Sequence, residues 1–486
     1  MTQFTTSEKY GAMHQRQKEL QKAVITNLIV RGNLPLNTVE RPWFKTFMAV
    51  VDPKFNVPCR RKVASEINYL YDLKRNVLLN KLMSVESLSL TLDMWSDRRM
   101  RSFMGVTVHF LTSDIKLESY LLDMGAFAGS HTGEQIGAHC VSLVEEYKIR
   151  DKVRFIVTDN AANMICAFKA MDNLFADPGD VDDVSGDESQ DGEVEDDSTE
   201  AERRTDGVFD QVDAVISYDG EEPLSDDTLE QVMGNLGRIG KKRLPCGIHT
   251  LQLVAVDGLK AVKFLSAVMS KISKLATLIH TSGAFSDAYF TEFKTTIPNT
   301  TNTRWNSLFL QLQAMSKVDA TKLQTLLTEK KQQACMLTSR EFAILNEAIQ
   351  VLEPAYTATL VMEEESALVS LLAPTVTALH KTWKFMSQGQ ELEYSRGLAL
   401  GLLDSLERRF RGLIDNLLPL PLDSNPTKQP KYPSAGAFGD LIYPVSAALD
   451  PDLRLNWLDN WEKDHDANVK ARVMGKPAIY IYIRLT

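Results

Sequence analysis

The chain has 486 residues, of which 44% are hydrophobic, and a formal net charge of −10. This length and composition allow roughly two to four globular units with a sizeable core. No run of eighteen or more apolar residues is present, which excludes a membrane-spanning helix, and the five scattered cysteines exclude a disulfide framework.

The charge is unevenly distributed along the chain. Residues 177–230 hold 22 acidic and two basic residues, which leaves 42 acidic and 52 basic residues elsewhere, a net charge of +10. A basic body is compatible with a nucleic-acid partner, although solvated surface lysines explain the same charge. The acidic stretch is of low complexity and has few aromatic residues, so we expect a disordered insert over 177–235.

In chain order, the hydrophobic spacing predicts a flexible N-terminus, then a helical region, then strands. From residue 86 the order strand, strand, strand, helix, strand predicts a mixed α/β sheet. A fifth strand is expected around 244–253, and helical spacing returns from residue 261. The predicted regions are 1–20 flexible, 21–85 helical, 86–176 sheet, 177–235 acidic insert, 236–260 last strand, 261–465 all-helical insertion and 466–486 atypical tail.

Two aspartates stand at the ends of predicted strands, Asp93 in "TLDMW" and Asp159 in "VRFIVTDNAANM". Chemistry in α/β sheets collects beyond the carboxyl ends of the strands. Carboxylates from adjacent strands repel each other unless a cation lies between them, and Mg²⁺ suits such oxygen ligands. The two residues are therefore candidates for a metal site that acts on phosphodiesters. Alternatively, Asp159 is the N-cap of a following helix.

Several further stretches occur together in one order: "SLTLDMWSD", "MGVTVHF", "HTGEQI", "FIVTDNAANM", "LPCGIHTLQLVAVDGL", "TRWNS" and "AALDPDLR". With this set the chain resembles the hAT transposase superfamily and the zinc finger BED domain-containing proteins derived from it, over most of residues 25–455. The resemblance implies an incomplete ribonuclease H-like mixed sheet interrupted by a large helical insertion, after an N-terminal helical region. It also implies that Asp93 and Asp159 are the first two acids of an Asp-Asp-Glu triad, which would bind Mg²⁺ in an active enzyme.

The same resemblance assigns Cys246 and His249 to a Cys-x-x-His motif, and Arg304 and Trp305 to an Arg-Trp motif that grips DNA. Each has a structural alternative: a packed thiol, a hydrogen-bonded imidazole, and for Trp305 a core aromatic instead of a side chain stacked on an unpaired base. We expect no zinc, because no second Cys/His pair follows at finger spacing. His131 is interpreted as a residue at a helix start.

The sequence also departs from the family pattern. It has no BED finger ahead of the matched region, and the family's Glu-bearing segment does not follow "AALDPDLR". Glu407 in "LERRF" precedes that segment, so it is not expected to be the third acid. We therefore expect a catalytically inactive nuclear protein associated with DNA or chromatin, or with transcription. It would bind DNA weakly without a finger and would not enter a membrane. The resemblance implies a homodimer for full-length relatives, which we do not expect here. The alternatives are a fragment of an active Mg²⁺-dependent DNA transposase and a protein-interaction scaffold.

Overall fold

A computed structural model describes residues 8–97, 99, 101–114, 116–127, 133–159, 164, 167, 243–300, 305–364, 367–417, 438–459 and 470. The chain forms two units, Met1–Glu86 with Val144–Lys152, and Ser87–Leu143 with Val153–Thr486. The acidic insert, Arg304, His131 and the tail from residue 471 lie outside the described residues. The predicted combination of a mixed sheet with many helices is confirmed.

The first unit is helical around a small apolar core. Its elements are α1 (Gln15–Lys22), a π-helix (Ala23–Val30), a 3₁₀ turn (Leu36–Glu40), α2 (Pro42–Val51), α3 (Arg60–Met83) and a 3₁₀ turn (Arg150–Lys152). Helix α1 begins inside the stretch that was expected to be flexible. The side chain of Gln17 explains this, because it is buried and both donates to and accepts from the backbone of Asn56 at 2.8 and 2.9 Å. Phe44 and Met48, one turn apart on α2, close the core.

The second unit contains a five-stranded sheet in the order β3-β2-β1-β4-β5. The strands are β1 (Leu88–Ser96), β2 (Ser102–Leu111), β3 (Leu117–Ala126), β4 (Val153–Thr158) and β5 (Arg243–Pro245). Strands β1, β2 and β3 pair antiparallel, whereas β4 is parallel to β1 and β5 is parallel to β4. Helix α4 (Gly133–Glu146) lies between β3 and β4 in the chain, where the hydrophobic spacing of the sequence predicted a helix.

Alternation along β1 gives the sheet two different faces. Leu88, Leu90 and Leu92 are buried on one face, whereas Ser89, Thr91 and Asp93 lie on the other. On β4, Phe155 and Val157 pack against the helical core that follows in the chain. Because Ser89 pairs with Phe155 and Thr91 with Val157, the face that carries Asp93 is also the face that meets the helices at β4.

The fifth strand is shorter than the sequence predicted. Strand β5 ends at Pro245, and α5 (Gly247–Lys260) begins two residues later, so the expectation of a strand up to residue 253 was wrong. The segment is apolar throughout, and such a run fits a buried strand and a buried helix equally well. Leu251, Val254 and Val256 are buried on the helix.

The remaining helices pack around one continuous apolar core with Leu244 of β5 at its edge. They are α6 (Lys263–Thr281), α7 (Gly283–Phe293), α8 (Asn306–Ser316), α9 (Ala320–Glu329), α10 (Ser339–Met362), α11 (Leu372–Gln388), α12 (Arg396–Arg409), α13 (Arg411–Leu417) and α14 (Ile442–Leu449), with 3₁₀ turns at Gln333–Cys335, Val369–Leu371 and Asn456–Leu458. Among the helices in the described part of the chain, none combines the length and the apolar character that a bilayer crossing requires.

Candidate functional site

Asp93 and Asp159 extend from neighbouring parallel strands at the same end of the sheet. Asp93 lies on β1, and Asp159 follows the last residue of β4. The parallel pairing of β1 with β4 extends to Thr91–Val157, and each aspartate lies two residues beyond that pair. Asp93 is exposed and Asp159 is half-buried. Both aspartates therefore lie toward the same end of the sheet, and a metal site at this position stays a prediction.

The Cys-x-x-His motif lies beside these carboxylates. The amide of Cys246 donates to the carbonyl of Thr158 at 2.7 Å, which continues the β4–β5 ladder by one bond and holds Cys246 next to Asp159. Cys246 is the N-cap residue of α5, and His249 lies in the first turn of that helix. Asp93 and Asp159 both act electrostatically on Cys246 and on His249, so these four side chains share one neighbourhood.

Burial is the largest influence on the pKa values of Cys246 and His249. It raises the pKa of the Cys246 thiol, against the backbone amides of His249 and Ile248, which favour the thiolate. Burial also lowers the pKa of His249, although the negative charges of Asp159 and Asp93 oppose this. At neutral pH the site therefore holds a neutral thiol and a neutral imidazole near the two carboxylates. Such groups donate and accept hydrogen bonds without adding charge.

Arg243 is a site residue that the sequence analysis missed. From β5 its guanidinium donates to the Thr158 hydroxyl through Nε at 3.0 Å and to the Asp159 carbonyl through Nη2 at 2.7 Å. It fixes the backbone that carries the Asp159 side chain. Burial lowers the pKa of Arg243, and the charge of Asp159 opposes that shift. No signal distinguished this arginine from the other bases near residues 241–243.

Arg409 brings a second arginine to the site from the helical layer. Its Nε donates to the Asp257 carboxylate at 2.8 Å, and Arg408 Nη2 and Ser405 Oγ donate to the same oxygen at 2.7 and 2.5 Å. Asp257 is two turns from His249 on α5, and the charge of Arg409 reaches His249 and lowers its pKa after the larger effect of burial. The sequence could not reveal this contact, because the two helices are about 150 positions apart.

Tyr443 on α14 is another buried group that the sequence analysis missed. Its side chain is 1% exposed, and its hydroxyl has no hydrogen-bond partner among the described residues. Burial raises the pKa of Tyr443, and the positive charge of Arg243 opposes that shift. Tyr443 interacts electrostatically with Arg243 and Cys246, so it lies near the motif.

The side chain of Trp305 is buried in the helical core. It is 2% exposed and packs edge-on against Phe309 and Tyr356, with ring centroids 6.1 and 6.4 Å away. A side chain buried this deeply presents no open ring face, which favours the core-aromatic alternative, and the assignment of Trp305 to DNA binding stays a prediction. The apolar positions of α8 explain the burial, because Phe309 and Leu312 face the same core.

Glu407 has a local partner elsewhere in the helical layer. Its Oε1 accepts a hydrogen bond from Nε2 of the buried His380 at 2.9 Å. Within the described ranges, no group of three or more His, Cys, Asp or Glu side chains is arranged to hold a metal ion. The described site therefore consists of two carboxylates, one thiol, one imidazole and two arginines.

Comparison with known proteins places this region in a family context. A family model of the ZBED1 RNase-like domain matches residues 91–181, the segment that carries both aspartates. The chain is similar to a putative transcriptional regulator, tpeD, of Talaromyces stipitatus, with 32% identity over 153 residues, 31% of this chain and 18% of that protein.

Two plant proteins match as well. The putative AC transposase of Zea mays is 28% identical over 148 residues, 30% of this chain and 18% of its own length. The zinc finger BED domain-containing protein DAYSLEEPER of Arabidopsis thaliana is 24% identical over 137 residues, 28% of this chain and 20% of its own length. The match thus spans a fifth or less of each of these relatives. Over this part of its length the chain is therefore similar to an AC transposase and to zinc finger BED domain-containing proteins.

Proposed function

We propose that this chain is a transposase-derived nuclear protein that associates with DNA and does not cut DNA by itself. The observation that carries the proposal is the convergence of Asp93, Asp159, Cys246 and His249 at one end of a mixed sheet, with Arg243 and Arg409 beside them. Arginines next to a carboxylate pair suit a phosphate backbone, which the family's active members must hold near a metal.

The sheet supports a ribonuclease H-like assignment. Its strand order, with three antiparallel strands followed by two parallel ones, fits the fold that the resemblance implies. The resemblance implies that the first and fourth strands carry the first two acids; Asp93 lies on β1, and Asp159 directly follows β4. The match to an RNase-like domain over 91–181 is consistent with this assignment.

The donor set fits Mg²⁺ only in part. Carboxylate oxygens are the ligands that Mg²⁺ prefers, and Asp93 and Asp159 would hold the ion, which would activate water for attack on a phosphodiester. In-line cleavage also requires a metal ion that stabilises the leaving oxygen, and a third acid usually helps to hold that ion. Arg243 and Arg409 are not metal ligands, and Cys246 with His249 supplies only half of a zinc set. We therefore propose DNA association without cleavage and without a zinc ion.

A nuclear role in chromatin or transcription is proposed from the relatives. One of them is named a transcriptional regulator and others are named zinc finger BED domain-containing proteins. The net charge of +10 outside residues 177–230 would draw the chain to DNA non-specifically.

A second candidate function is that of a part of an active Mg²⁺-dependent DNA transposase. The placement of Asp93 and Asp159 on adjacent parallel strands favours it. The two candidates differ in a single measurable property, strand cleavage in the presence of a divalent metal.

The test combines DNA binding with cleavage. The purified chain and its Asp159→Ala variant are incubated with labelled duplex and single-stranded oligonucleotides in Mg²⁺ and in Mn²⁺, across a salt series. We expect both proteins to bind, with log K falling linearly as log salt concentration rises, and neither to cut. Absence of binding at low salt would contradict the proposed DNA association. Cleavage by the parent chain that is lost in Asp159→Ala would establish the transposase alternative instead.

A further inference from the structure

Strand β3 is the outermost strand of the described sheet on the side away from β5. Its residues Leu117–Ala126 carry a row of large apolar side chains on the face that also carries Asp93. In this row, which we call the apolar row of β3, Leu117, Leu121 and Met124 are 40%, 56% and 60% exposed. A long outer strand with exposed apolar side chains pairs readily with a further strand, and proteins commonly cover such edges.

The opposite face of β3 carries two acids. Glu118 and Asp123 lie there, since their cross-strand partners on β2, Phe110 and Val106, are buried on that side of the sheet. Both acids are half-buried, and Asp123 Oδ2 lies 2.9 Å from Nε2 of His139. A strand placed beside β3 would therefore meet apolar side chains on one face and carboxylates on the other.

The last residues of the chain have the sequence pattern of such a strand. The stretch "IYIYIRL", residues 479–485, follows Gly475 and Pro477 and alternates aliphatic residues with Tyr, Tyr and Arg. Alternation of β-branched and aromatic residues after a turn signal is typical of a strand. In a strand, three isoleucines and Leu485 would share one side, and two tyrosines and Arg484 the other. We call residues 479–485 the tail segment.

The two patterns match in either strand direction. When the aliphatic side of the tail segment joins the apolar row of β3, Arg484 lies on the face that carries Glu118 and Asp123, because alternation fixes both faces together. Cross-strand pairs of aliphatic side chains and of opposite charges are both stabilising. A slip by one residue would place Arg484 beside leucines, so the pairing has a preferred set of registers.

The other outer strand of the described sheet suits the tail segment less. Strand β5 consists of Arg243–Pro245 only, and Pro245 has no N–H group to donate. A strand of seven residues would find few backbone partners there. The ten residues of β3 can pair with the whole tail segment.

The chain between the helices and the tail segment is long enough for it to reach β3. Residues 460–477 span up to ~60 Å when extended, which is as long as a globular unit of this size is wide. Within the described part of this stretch, Lys470 pairs with Asp459 through side chains that water reaches. Such an ion pair contributes little to stability, so it does not hold the chain away from the sheet.

We propose that the tail segment of the same chain adds to the outer edge of β3 as a further strand of the sheet. Its isoleucines lie beside the apolar row of β3, and Arg484 faces the side of Glu118 and Asp123. The tail segment and β3 belong to the same unit of the chain, which favours this occupant over a second molecule. The added strand closes the edge of the sheet to strands from other chains.

Hydrogen exchange of the full chain, followed by mass spectrometry, tests the added strand. Alternate amides of β3 point away from β2 and would donate to the tail segment. Ile481→Pro removes a donor and blocks strand pairing, so it is expected to speed exchange of these amides about tenfold or more, together with that of residues 478–486. Val473→Pro is the matched control, because it introduces the same residue ahead of Gly475 and Pro477. It is expected to leave both regions unchanged.

A substitution on β3 tests the same contact from the other side. Leu121→Ser removes a large side chain from the apolar row of β3 and is expected to speed exchange in the tail segment. Leu400→Ser is its control, because Leu400 lies on α12 and is 51% exposed, close to the 56% of Leu121. The control is expected to leave exchange in the tail segment as it is in the parent chain.

The outcomes decide between three occupants of the edge. Slow exchange that does not depend on protein concentration, and that is lost in Ile481→Pro and Leu121→Ser only, supports the strand within one chain. Equal exchange in the parent chain and Ile481→Pro overturns it. Slow exchange that appears only as the protein concentration rises also overturns it, in favour of a second copy. Should Ile481→Pro lose its folded circular dichroism spectrum, deletion of residues 476–486 replaces it, with the same loss expected in β3.

Discussion

At the scale of single residues, the Asp257 carboxylate holds together parts of the helical layer that are distant in sequence. One of its oxygens accepts from Ser405, Arg408 and Arg409, and the Asp257 side chain is 23% exposed. Burial alone would raise the pKa of Asp257, but the hydrogen bond and charge of Arg409, with help from Ser405 and Arg408, lower it below its ordinary value of 3.8. The folded state therefore binds the ionised form more tightly than the unfolded state does.

This gives a pH-dependent prediction. Asp257→Asn is expected to lower the free energy of unfolding by about 1–3 kcal/mol at neutral pH, because it removes a charged acceptor shared by two arginines. A lowered folded pKa contributes stability above the unfolded value of 3.8, and that contribution disappears as the pH falls through the folded pKa. Urea unfolding at pH 7 and pH 3 should therefore show a difference between parent and variant that shrinks in acid.

Asp415→Asn is the control for that measurement, since among the described residues Asp415 pairs with Arg411 alone, and its side chain is 39% exposed. It is expected to change stability little. A loss in Asp257→Asn that stays constant between the two pH values would mean that the side chain acts through packing and not through its charge.

At the scale of elements, the contact between α5 and α12 depends on two glycines. A Cβ at Gly258 would lie 2.4 and 2.5 Å from Cδ2 and Cγ of Leu402, and one at Gly401 would lie 2.8 Å from Cβ of Ala261. The helices approach closely because neither position carries a side chain. This approach places Asp257 against Arg409, and therefore determines which charges reach His249.

Gly258→Ala is accordingly expected to destabilise the chain by about 1–3 kcal/mol, because Leu402 must shift in a packed interface. Gly397→Ala on α12 is the matched control, since its nearest neighbour, Cγ2 of Val262, would be 4.0 Å away. The control is expected to leave the free energy of unfolding unchanged or to raise it by up to about 1 kcal/mol, because alanine favours a helix. Unfolding midpoints in urea provide the comparison, and equal midpoints for the two variants would contradict the close-approach argument.

The elements also show how far a sequence determines such a site. The succession of strands along the chain and the positions of the two aspartates at strand ends could be predicted, because alternation and strand ends leave a local pattern in β1 and β4. The short length of β5 could not be predicted, since an apolar run does not reveal where a strand ends and a helix begins. The same holds for Trp305, whose burial depends on Tyr356 from a distant helix. Contacts such as Asp257 with Arg409 arise only from tertiary packing.

At the scale of the whole molecule, charge is the property that most affects the proposed DNA association. Residues 177–230 contribute a net −20 to a chain of net −10. Deleting them is expected to strengthen non-specific DNA binding at low salt and to leave the melting temperature nearly unchanged, because few apolar residues are lost. Affinity measured across a salt series, beside melting curves, checks both parts.

A variant in which the acids of residues 177–230 are replaced by their amides separates charge from length. It should strengthen DNA binding as the deletion does. If the deletion strengthens binding and the amide variant does not, the segment acts by steric exclusion. If neither changes binding, the basic remainder of the chain does not attract DNA.

The double hydrogen bond of Arg243 has a consequence for chain connectivity. It joins the two strands on either side of an 84-position separation, with its guanidinium on the carbonyl of Asp159. Bringing together two positions so far apart in the chain is an entropic cost of folding, but that cost grows only with the logarithm of their separation, by about 0.6 kcal/mol for each doubling. Once the end of β4 and the start of β5 are joined by Arg243, the number of residues between them hardly affects the pairing of the two strands. The connection can therefore lengthen, shorten or change composition over evolutionary time while β4 and β5 stay paired.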